Sequence, residues 1–299
     1  MGCNANLVSV GGNAGSQESK YLRLALMTVL SICRDTVIAS YYGDRASVIQ
    51  YPISNTSWAA PRPTDEGYHN AYSTDVNGTP IYTDDMSEED KYEAAKNAAK
   101  AYLEAAGYVF GDDGKIVEVP EGAKGLTEED SYEVMIPGQG TQDHPAYGIA
   151  VKAQEILGEL GFVLRISDVG TSVWNAQLNA NTCDIWAAAW QSGSDPDMYQ
   201  VYHSSNANGA GTNSNHYQIQ DADLDEIIMD ARSSADNTYR KAAYKEALEI
   251  ILSWGVELPT YQRKDASVFS TERVNVATLP DDMTPFYSWT DEIQNIELN

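Results

Sequence analysis

The chain is short of positive charge. Its 299 residues include 19 lysines and arginines against 44 aspartates and glutamates, so the net charge is −25 at pH 7. A surface of that sign repels phosphate groups, and we therefore expect neither a nucleic acid nor an anionic membrane as a partner. The acidic excess suits a protein that stays soluble at a cell exterior, although many cytoplasmic proteins are acidic as well.

Cysteine is also scarce. Cys3, Cys33 and Cys183 are odd in number and far apart, so neither a disulfide framework nor zinc-ligand spacing is visible. Cys33 and Cys183 lie in apolar runs and are expected to be small buried hydrophobes. No apolar segment precedes Cys3, so we expect no lipid anchor, no signal peptide and no membrane span in this chain.

The motifs that would identify an enzyme are missing. The sequence has no Gly-x-Ser-x-Gly elbow, no Walker loop and no His-Glu-x-x-His. Gly138 and Gly140 lack the third glycine of a dinucleotide-binding fingerprint. The acidic run 221–225 fails as a calcium loop, because Glu226 stands where that loop needs glycine. We predict no metal, no cofactor and no catalytic residue, since the histidines are scattered and more typical of loops: His69, His144, His203 and His216.

Hydrophobic periodicity predicts an α/β protein. Apolar residues at helical spacing, with capping residues before them and glycines after them, predict helices over 20–33, 36–42, 87–106, 145–160, 171–180, 221–232 and 237–254. Short apolar or alternating runs predict strands over 7–10, 131–137, 162–166 and 185–190. The strands alternate with helices from residue 131 onward, which predicts two successive right-handed βαβ crossovers.

The stretch 183–204 carries the candidate site. Residues 185–190 predict a buried strand that ends at Trp190, followed by a polar turn. Asp195 is predicted to cap a helix that begins at Pro196. Ligands of α/β proteins lie at the carboxyl ends of such strands, so we expect Trp190 to be partly exposed on a concave surface and Trp186 to be buried. The alternative is that both tryptophans are core aromatics and the loop is only a connection.

Four segments in this order resemble a known family. They are 22–38 with its Arg34-Asp35 junction, 94–108, 150–162, and 184–204 with Trp190 and Asp195-Pro196-Asp197. Together they are similar to the extracellular solute-binding proteins of ABC transporters, the oligopeptide- and dipeptide-binding group (family 5). The similarity covers roughly residues 20–270, and its last segment is the most specific.

The resemblance implies a fold and a function. The family has two α/β lobes that close on an extended peptide. This chain would be the C-terminal lobe, a periplasmic-binding-protein-like lobe of type II with a mixed sheet flanked by helices and a returning C-terminal segment. It divides into a remnant at 1–19, the ligand-binding lobe at 20–255 and a tail at 256–299 that returns toward a first lobe lying mostly outside the chain.

The implied role is that of a non-enzymatic receptor. It would be an extracellular or periplasmic monomer, a cell-surface lipoprotein in the full-length protein, with a peptide or peptide-like solute and ABC permease subunits as partners. A carboxylate-based hydrolase remains an alternative, because two acids could converge as a catalytic pair. A non-catalytic surface interaction module is the other alternative.

The resemblance also implies a set of ligand-binding residues. Trp190 matches the family's cleft tryptophan, but Ser192-Gly193-Ser194 replaces the aspartate that holds a peptide's ammonium, so Asp195 is either that acid or only a helix cap. The arginine that some members use for the peptide carboxylate is replaced in the loop after 131–137, which leaves the ligand open. The candidate ligand-binding residues are Trp190, Gln191, Ser192, Ser194, Asp195, Gln139, Thr141, Gln142 and, at the start of the next helix, Thr171.

Overall fold

The computed structural model describes residues 1–191, 193–284 and 287–299. The α-helices in these residues are α1 Gln17–Ser31, α2 Arg34–Tyr42, α3 Glu88–Ala105, α4 Pro145–Glu159, α5 Thr171–Asn179, α6 Tyr199–Tyr202, α7 Ala222–Ser233 and α8 Asn237–Ser253. The strands are β1 Gly2–Cys3, β2 Ala46–Val48, β3 Val109–Phe110, β4 Ile116–Glu118, β5 Tyr132–Ile136, β6 Leu164–Asp168, β7 Ile185–Trp186 and β8 Tyr261–Arg263.

A four-stranded mixed sheet with the order β1-β7-β5-β6 forms the centre of the fold. β5 runs parallel to β6 and to β7, and β1 closes the edge antiparallel to β7. In this sheet β6 and β7 flank β5. The chain passes from β5 through α4 to β6, and then crosses back past β5 through α5 to reach β7. Because right-handed crossovers in opposite directions lie on opposite faces, α4 and α5 cover different faces of the sheet. The boundary between β5 and β7 is therefore a topological switch point.

α3 and α7 each begin directly after a residue whose side chain caps the helix N-terminus. The Ser87 hydroxyl accepts from the Asp90 N–H and the Asp90 carboxylate accepts from the Ser87 N–H, a capping box at the start of α3. Asp221 caps α7 by accepting from two backbone N–H groups of its first turn. α1 packs on α3 and α4, and α7 packs on α8, so the apolar faces of these helices close the core around the sheet.

Arg23 is a wholly buried charge in this core. Its guanidinium donates to three backbone carbonyl oxygens, those of Trp254 at 2.7 Å, Val8 at 3.0 Å and Ala14 at 2.9 Å. Burial lowers the pKa of Arg23 to about 10, well above neutral pH. The side chain thus ties the turns that precede α1 to the end of α8.

The helices predicted from hydrophobic periodicity are all present, but the strand predicted over 7–10 is wrong. Residues 7–10 form turns, because the Asn4 side chain accepts from the N–H groups of Asn6 and Leu7 while the Asn4 carbonyl accepts from Leu7 and Val8. Such an Asx turn competes with extended structure. The N-terminal contribution to the sheet comes instead from Gly2–Cys3.

After β8, which pairs with β2, the tail has little regular structure. It contains two short 3-10 segments, Val276–Thr278 and Trp289–Asn295. Its apolar side chains line an open groove and several of them are exposed to solvent, Val268 to 94% and Leu298 to 78%. No helix in the described part of the chain is both long enough and apolar enough to span a bilayer.

Candidate ligand-binding site

The candidate site lies where the carboxyl ends of β5 and β7 adjoin. The loop 137–144 leaves β5 and the loop 187–198 leaves β7. The Ala187 N–H donates to the Met135 carbonyl at 3.0 Å, which carries the pairing one residue beyond β7. The residue that follows β5 is Pro137, which has no N–H to continue the hydrogen-bond ladder with β7. β7 is therefore shorter than predicted, and Trp190 lies four residues beyond it rather than at its end.

Trp190 has the exposure that the sequence predicts. Trp190 is 48% exposed, whereas Trp186 inside β7 is only 2% exposed. The indole Nε1–H of Trp190 donates to the hydroxyl of Tyr217 at 3.1 Å, and the Tyr217 ring packs against Trp186. The Trp190 side chain is therefore fixed at its N–H edge and exposed elsewhere.

Asp195 does not cap a helix, so that prediction is wrong. No helix begins at Pro196; the short α6 begins only at Tyr199. Both carboxylate oxygens of Asp195 accept from one Arg240 nitrogen, at 2.8 and 2.9 Å. Arg240 lies on α8. Its guanidinium donates to the Tyr244 hydroxyl of the same helix and lies 5.3 Å from the ring of Trp58. This partner is 45 residues away in sequence, so no local pattern could reveal it.

A second ion pair holds the same loop. Asp197 lies 3.1 Å from Arg232 of α7, and the Arg232 guanidinium stacks over the Tyr199 ring at 4.3 Å. The Asp197 carboxylate also accepts from the Tyr199 N–H. Both aspartates of the Asp-Pro-Asp segment are thus engaged by arginines, which fixes the loop against α7 and α8.

We expect the Asp195→Asn substitution to lower the free energy of unfolding by about 0.2–1 kcal/mol. The Asp195 side chain is 56% exposed, so solvent screens the pair with Arg240. Urea unfolding at low and high salt would measure the loss, and a double-mutant cycle with Arg240→Met would isolate the pair. Asp112→Asn is the matched control, because Asp112 is exposed in the 111–114 turn. Full additivity in the cycle would contradict the pairing.

The loop after β5 is held in an unusual backbone conformation. Gln139 and Gln142 have φ values of 62° and 60°, in the left-handed region that non-glycine residues rarely adopt. The Gln142 N–H donates to the Asp168 carboxylate at 2.7 Å, and the Thr141 hydroxyl donates to the Gly138 carbonyl. Asp168, at the end of β6, therefore fixes the loop, and sequence reasoning did not select it.

Gly138 permits this close approach of loop and carboxylate. A Cβ at position 138 would lie 2.5 Å from an Asp168 oxygen, closer than any real contact, so a side chain there would displace the loop. The Gln139 amide donates to the Thr171 hydroxyl at 2.5 Å, which links the loop to the first residue of α5. Two of the sequence-selected residues are thus brought into direct contact.

The remaining candidates lie on the loop after Trp190. Gln191 and Ser194 are exposed. Ser192 lies outside the described residues. Among the described residues, no group of three histidine, cysteine, aspartate or glutamate side chains is arranged to hold a metal ion.

The model of the family described as bacterial extracellular solute-binding proteins, family 5 Middle, matches residues 18–212. The chain belongs to the family 5 solute-binding proteins. The oligopeptide-binding protein AppA of Bacillus subtilis (strain 168) is 23% identical over 251 residues, which are 82% of this chain and 39% of AppA. The family 5 chain therefore spans about two fifths of the length of this relative.

Solved structures agree on the fold of this family 5 chain. The structure of AppA from Bacillus subtilis in complex with a nonapeptide has a TM-score of 0.59 at 22% identity, over 82% of this chain and 42% of that one. NikZ from Campylobacter jejuni in complex with Ni(L-His) has a TM-score of 0.57 at 18% identity, over 81% and 42%. The predicted fold class is confirmed: a lobe of type II periplasmic-binding-protein architecture, with a mixed sheet flanked by helices.

Proposed function

We propose that this chain is the ligand-binding lobe of the substrate-binding component of an ABC importer, which captures a peptide or peptide-like solute and delivers it to the permease. One observation carries the proposal: Trp190 presents a half-exposed ring beside the switch point of a family 5 fold. A flat aromatic surface beside strand ends suits an extended ligand, because apolar contacts and main-chain hydrogen bonds both become available. The nonapeptide bound by AppA and the peptide STSA bound by DppA from Helicobacter pylori support this ligand class.

The ligand would be held mainly by uncharged groups. The proposed contacts other than Trp190 and Asp195 are amides and hydroxyls: Gln139, Thr141, Gln142, Thr171, Gln191, Ser192 and Ser194. The Asp195 carboxylate is paired with Arg240, so it is a weaker candidate for a ligand's ammonium group. This pattern supports recognition of a ligand's backbone amides rather than of its terminal charges.

The division of the chain follows the same proposal. Residues 1–19 would be a remnant that reaches the sheet, 20–255 the ligand-binding lobe, and 256–299 a tail that returns to the first lobe of the complete receptor. The exposed apolar groove of the tail supports a covering partner of that kind. The complete receptor would be a monomeric lipoprotein, extracellular or periplasmic, with ABC permease subunits and no nucleic acid as partners.

The alternatives have less support. The relatives are binding proteins, which argues against a carboxylate-based hydrolase and for a receptor without turnover. A surface interaction module with no small ligand would not need a half-exposed tryptophan beside two polar loops.

We expect the chain by itself to bind peptides weakly or not at all, with dissociation constants of roughly 1 mM or above, near −4 kcal/mol. A lobe alone supplies half of the contacts and cannot exclude water by closure. Peptides of two to nine residues would be titrated into ¹⁵N-labelled protein while the indole N–H signals of the six tryptophans are followed. Displacement of the Trp190 signal by peptide at millimolar concentration, with Trp289 unmoved as the control, supports the site; displacement of other indole signals while the Trp190 signal stays in place argues against it. Micromolar binding would contradict the one-lobe argument.

A further inference from the structure

The irregular segment 51–72, which we call the strap, is held against α8. Side chains on successive turns of α8 contact it: Tyr244 contacts the Trp58 ring, Lys241 contacts Asp65, Lys245 donates to the Glu66 carbonyl, and Glu249 contacts Tyr51 and His69. Without helix or strand of its own, the strap depends on these side-chain contacts for its position.

Glu249 joins the end of the strap to α8. One of its carboxyl oxygens accepts from the Tyr51 hydroxyl at 3.1 Å, and the other lies 2.8 Å from Nε2 of His69. The two side chains of the second contact are partly exposed, His69 to 42% and Glu249 to 35%. An imidazole is a stronger base than a carboxylate, so a proton between the two belongs to the His69 ring.

The His69 ring faces an oxygen at each of its nitrogens. Nδ1 lies 3.2 Å from the Asn70 carbonyl oxygen, which can only accept, and Nε2 faces the Glu249 carboxylate. A neutral imidazole has one N–H and one lone pair, whereas an imidazolium donates from both nitrogens. Only the charged ring therefore satisfies both contacts, and loss of its proton sets a lone pair against an oxygen.

The charged and titratable side chains that face this ring are Glu249 and Lys245 of α8 and Tyr51 of the strap. The hydrogen bond to Glu249 raises the pKa of His69 above its ordinary value, and partial burial and Lys245 oppose this without reversing it. Tyr51 accepts from the His69 backbone N–H at 3.3 Å and lies edge-on to the ring at 5.7 Å. Burial raises the pKa of Tyr51, so this phenol stays neutral.

His144 has the opposite arrangement. Its Nδ1 accepts from the Ala146 N–H at 3.1 Å and so caps α4. That contact requires a lone pair on the ring, and burial lowers the pKa of His144. The chain thus contains one histidine whose contacts favour the charged ring and another whose contacts favour the neutral one.

We propose that His69 is a pH-sensitive switch whose charged ring holds the end of the strap, residues 66–72, against α8. The contact is complete below the ordinary histidine pKa of about 6.5, and it is lost as the pH rises through the raised pKa of His69. The contacts of Trp58 and Asp65 hold the rest of the strap, so the loosening is confined to its end.

NMR titration of the imidazole signals of the chain, from about pH 5 to 9, tests the charge state. The His69 signal is assigned as the one that His69→Gln removes. We expect His69 to titrate above the ordinary pKa and His144 below it. Glu249→Gln should lower the pKa of His69, because the amide oxygen still accepts a hydrogen bond but carries no charge. Glu246→Gln is the matched control: it removes the same charge from an exposed position about one turn earlier on α8 and should change the pKa of His69 by much less.

The heteronuclear NOE of the backbone signals of residues 66–72 tests the movement, because it reports motion on the picosecond-to-nanosecond timescale. It would be measured about one pH unit below and above the pKa found for His69. We expect the values to fall above that pKa while those of α8 stay constant, and to be low at both pH values in His69→Gln.

Three results would overturn the proposal: a His69 pKa at or below the ordinary value, equal shifts of that pKa in Glu249→Gln and Glu246→Gln, or a strap whose NOE values are the same on both sides of the pKa. The titration and the NOE measurement of the unmodified chain need no substitution, so they decide the matter even if a variant fails to fold. Neither depends on which ligand the chain binds.

Discussion

Replacing Arg23 with alanine is expected to lower the free energy of unfolding by about 3–5 kcal/mol. The wholly buried guanidinium donates to the carbonyls of Trp254, Val8 and Ala14, and its loss leaves all three without their donor. Each unpaired buried acceptor costs on the order of 1–3 kcal/mol, and the space left by the side chain adds to that cost. The effect is a large share of the 5–15 kcal/mol that typically stabilises a domain.

Urea unfolding followed by circular dichroism would measure the loss. Arg45→Ala is the control, because Arg45 is exposed and, among the described residues, its side chain donates only to the nearby Tyr42 carbonyl. This substitution should change the free energy of unfolding by less than about 0.5 kcal/mol. Arg23→Lys should fall between the two, since one ammonium group cannot span three separated carbonyls. A loss below about 1 kcal/mol in Arg23→Ala would show that the three contacts are not maintained in solution.

The second large effect is expected at Trp186. Trp186→Ala should cost about 3–5 kcal/mol, because it removes a buried ring from the centre of the sheet and leaves a cavity. The ring packs against Tyr217, and Gly2 of the neighbouring strand β1 is paired with Trp186: a Cβ at Gly2 would lie 2.4 Å from the indole. The neighbouring backbone is therefore shaped to this side chain.

Trp190→Ala is the comparison that makes this measurement informative. It removes a half-exposed ring and one hydrogen bond, so we expect a loss of about 0.5–1.5 kcal/mol. Both substitutions would be measured by the same urea titration. Equal losses would mean that both tryptophans are core aromatics, and the ligand-binding role of Trp190 would lose its basis.

Local signals explain what could be predicted from the sequence. Helix caps such as Ser87 and Asp221 act within three residues, and the helical periodicity between them needs no knowledge of partners. The alternation of strands and helices after residue 131 defined the parallel core. The loops that follow β5 and β7 were therefore predicted to leave the same edge of the sheet, where the structure has them.

The errors around the candidate site share a different cause, which is a partner remote in sequence. Asp195 looks like a cap until Arg240, on another helix, engages its carboxylate. β7 is short because Pro137 ends the ladder on the neighbouring strand. The role of Asp168 as an acceptor for the Gln142 N–H could not be predicted, because that contact forms only when the loop containing Gln142 folds against β6. Sequence patterns describe each residue's own element and not the element across from it.

The edge strand β1 has a consequence for how the fold tolerates changes in length. Its partner β7 lies far along the chain, and the Met1 amino group donates to the Leu258 carbonyl across 257 residues. The entropy of closing a flexible segment grows only with the logarithm of its length, so doubling one costs only about 0.6 kcal/mol. Insertions in an exposed segment such as 127–130 would therefore barely alter the equilibrium for closing this edge. They would raise the contact order, so the additional residues would slow folding more than they would weaken the folded state.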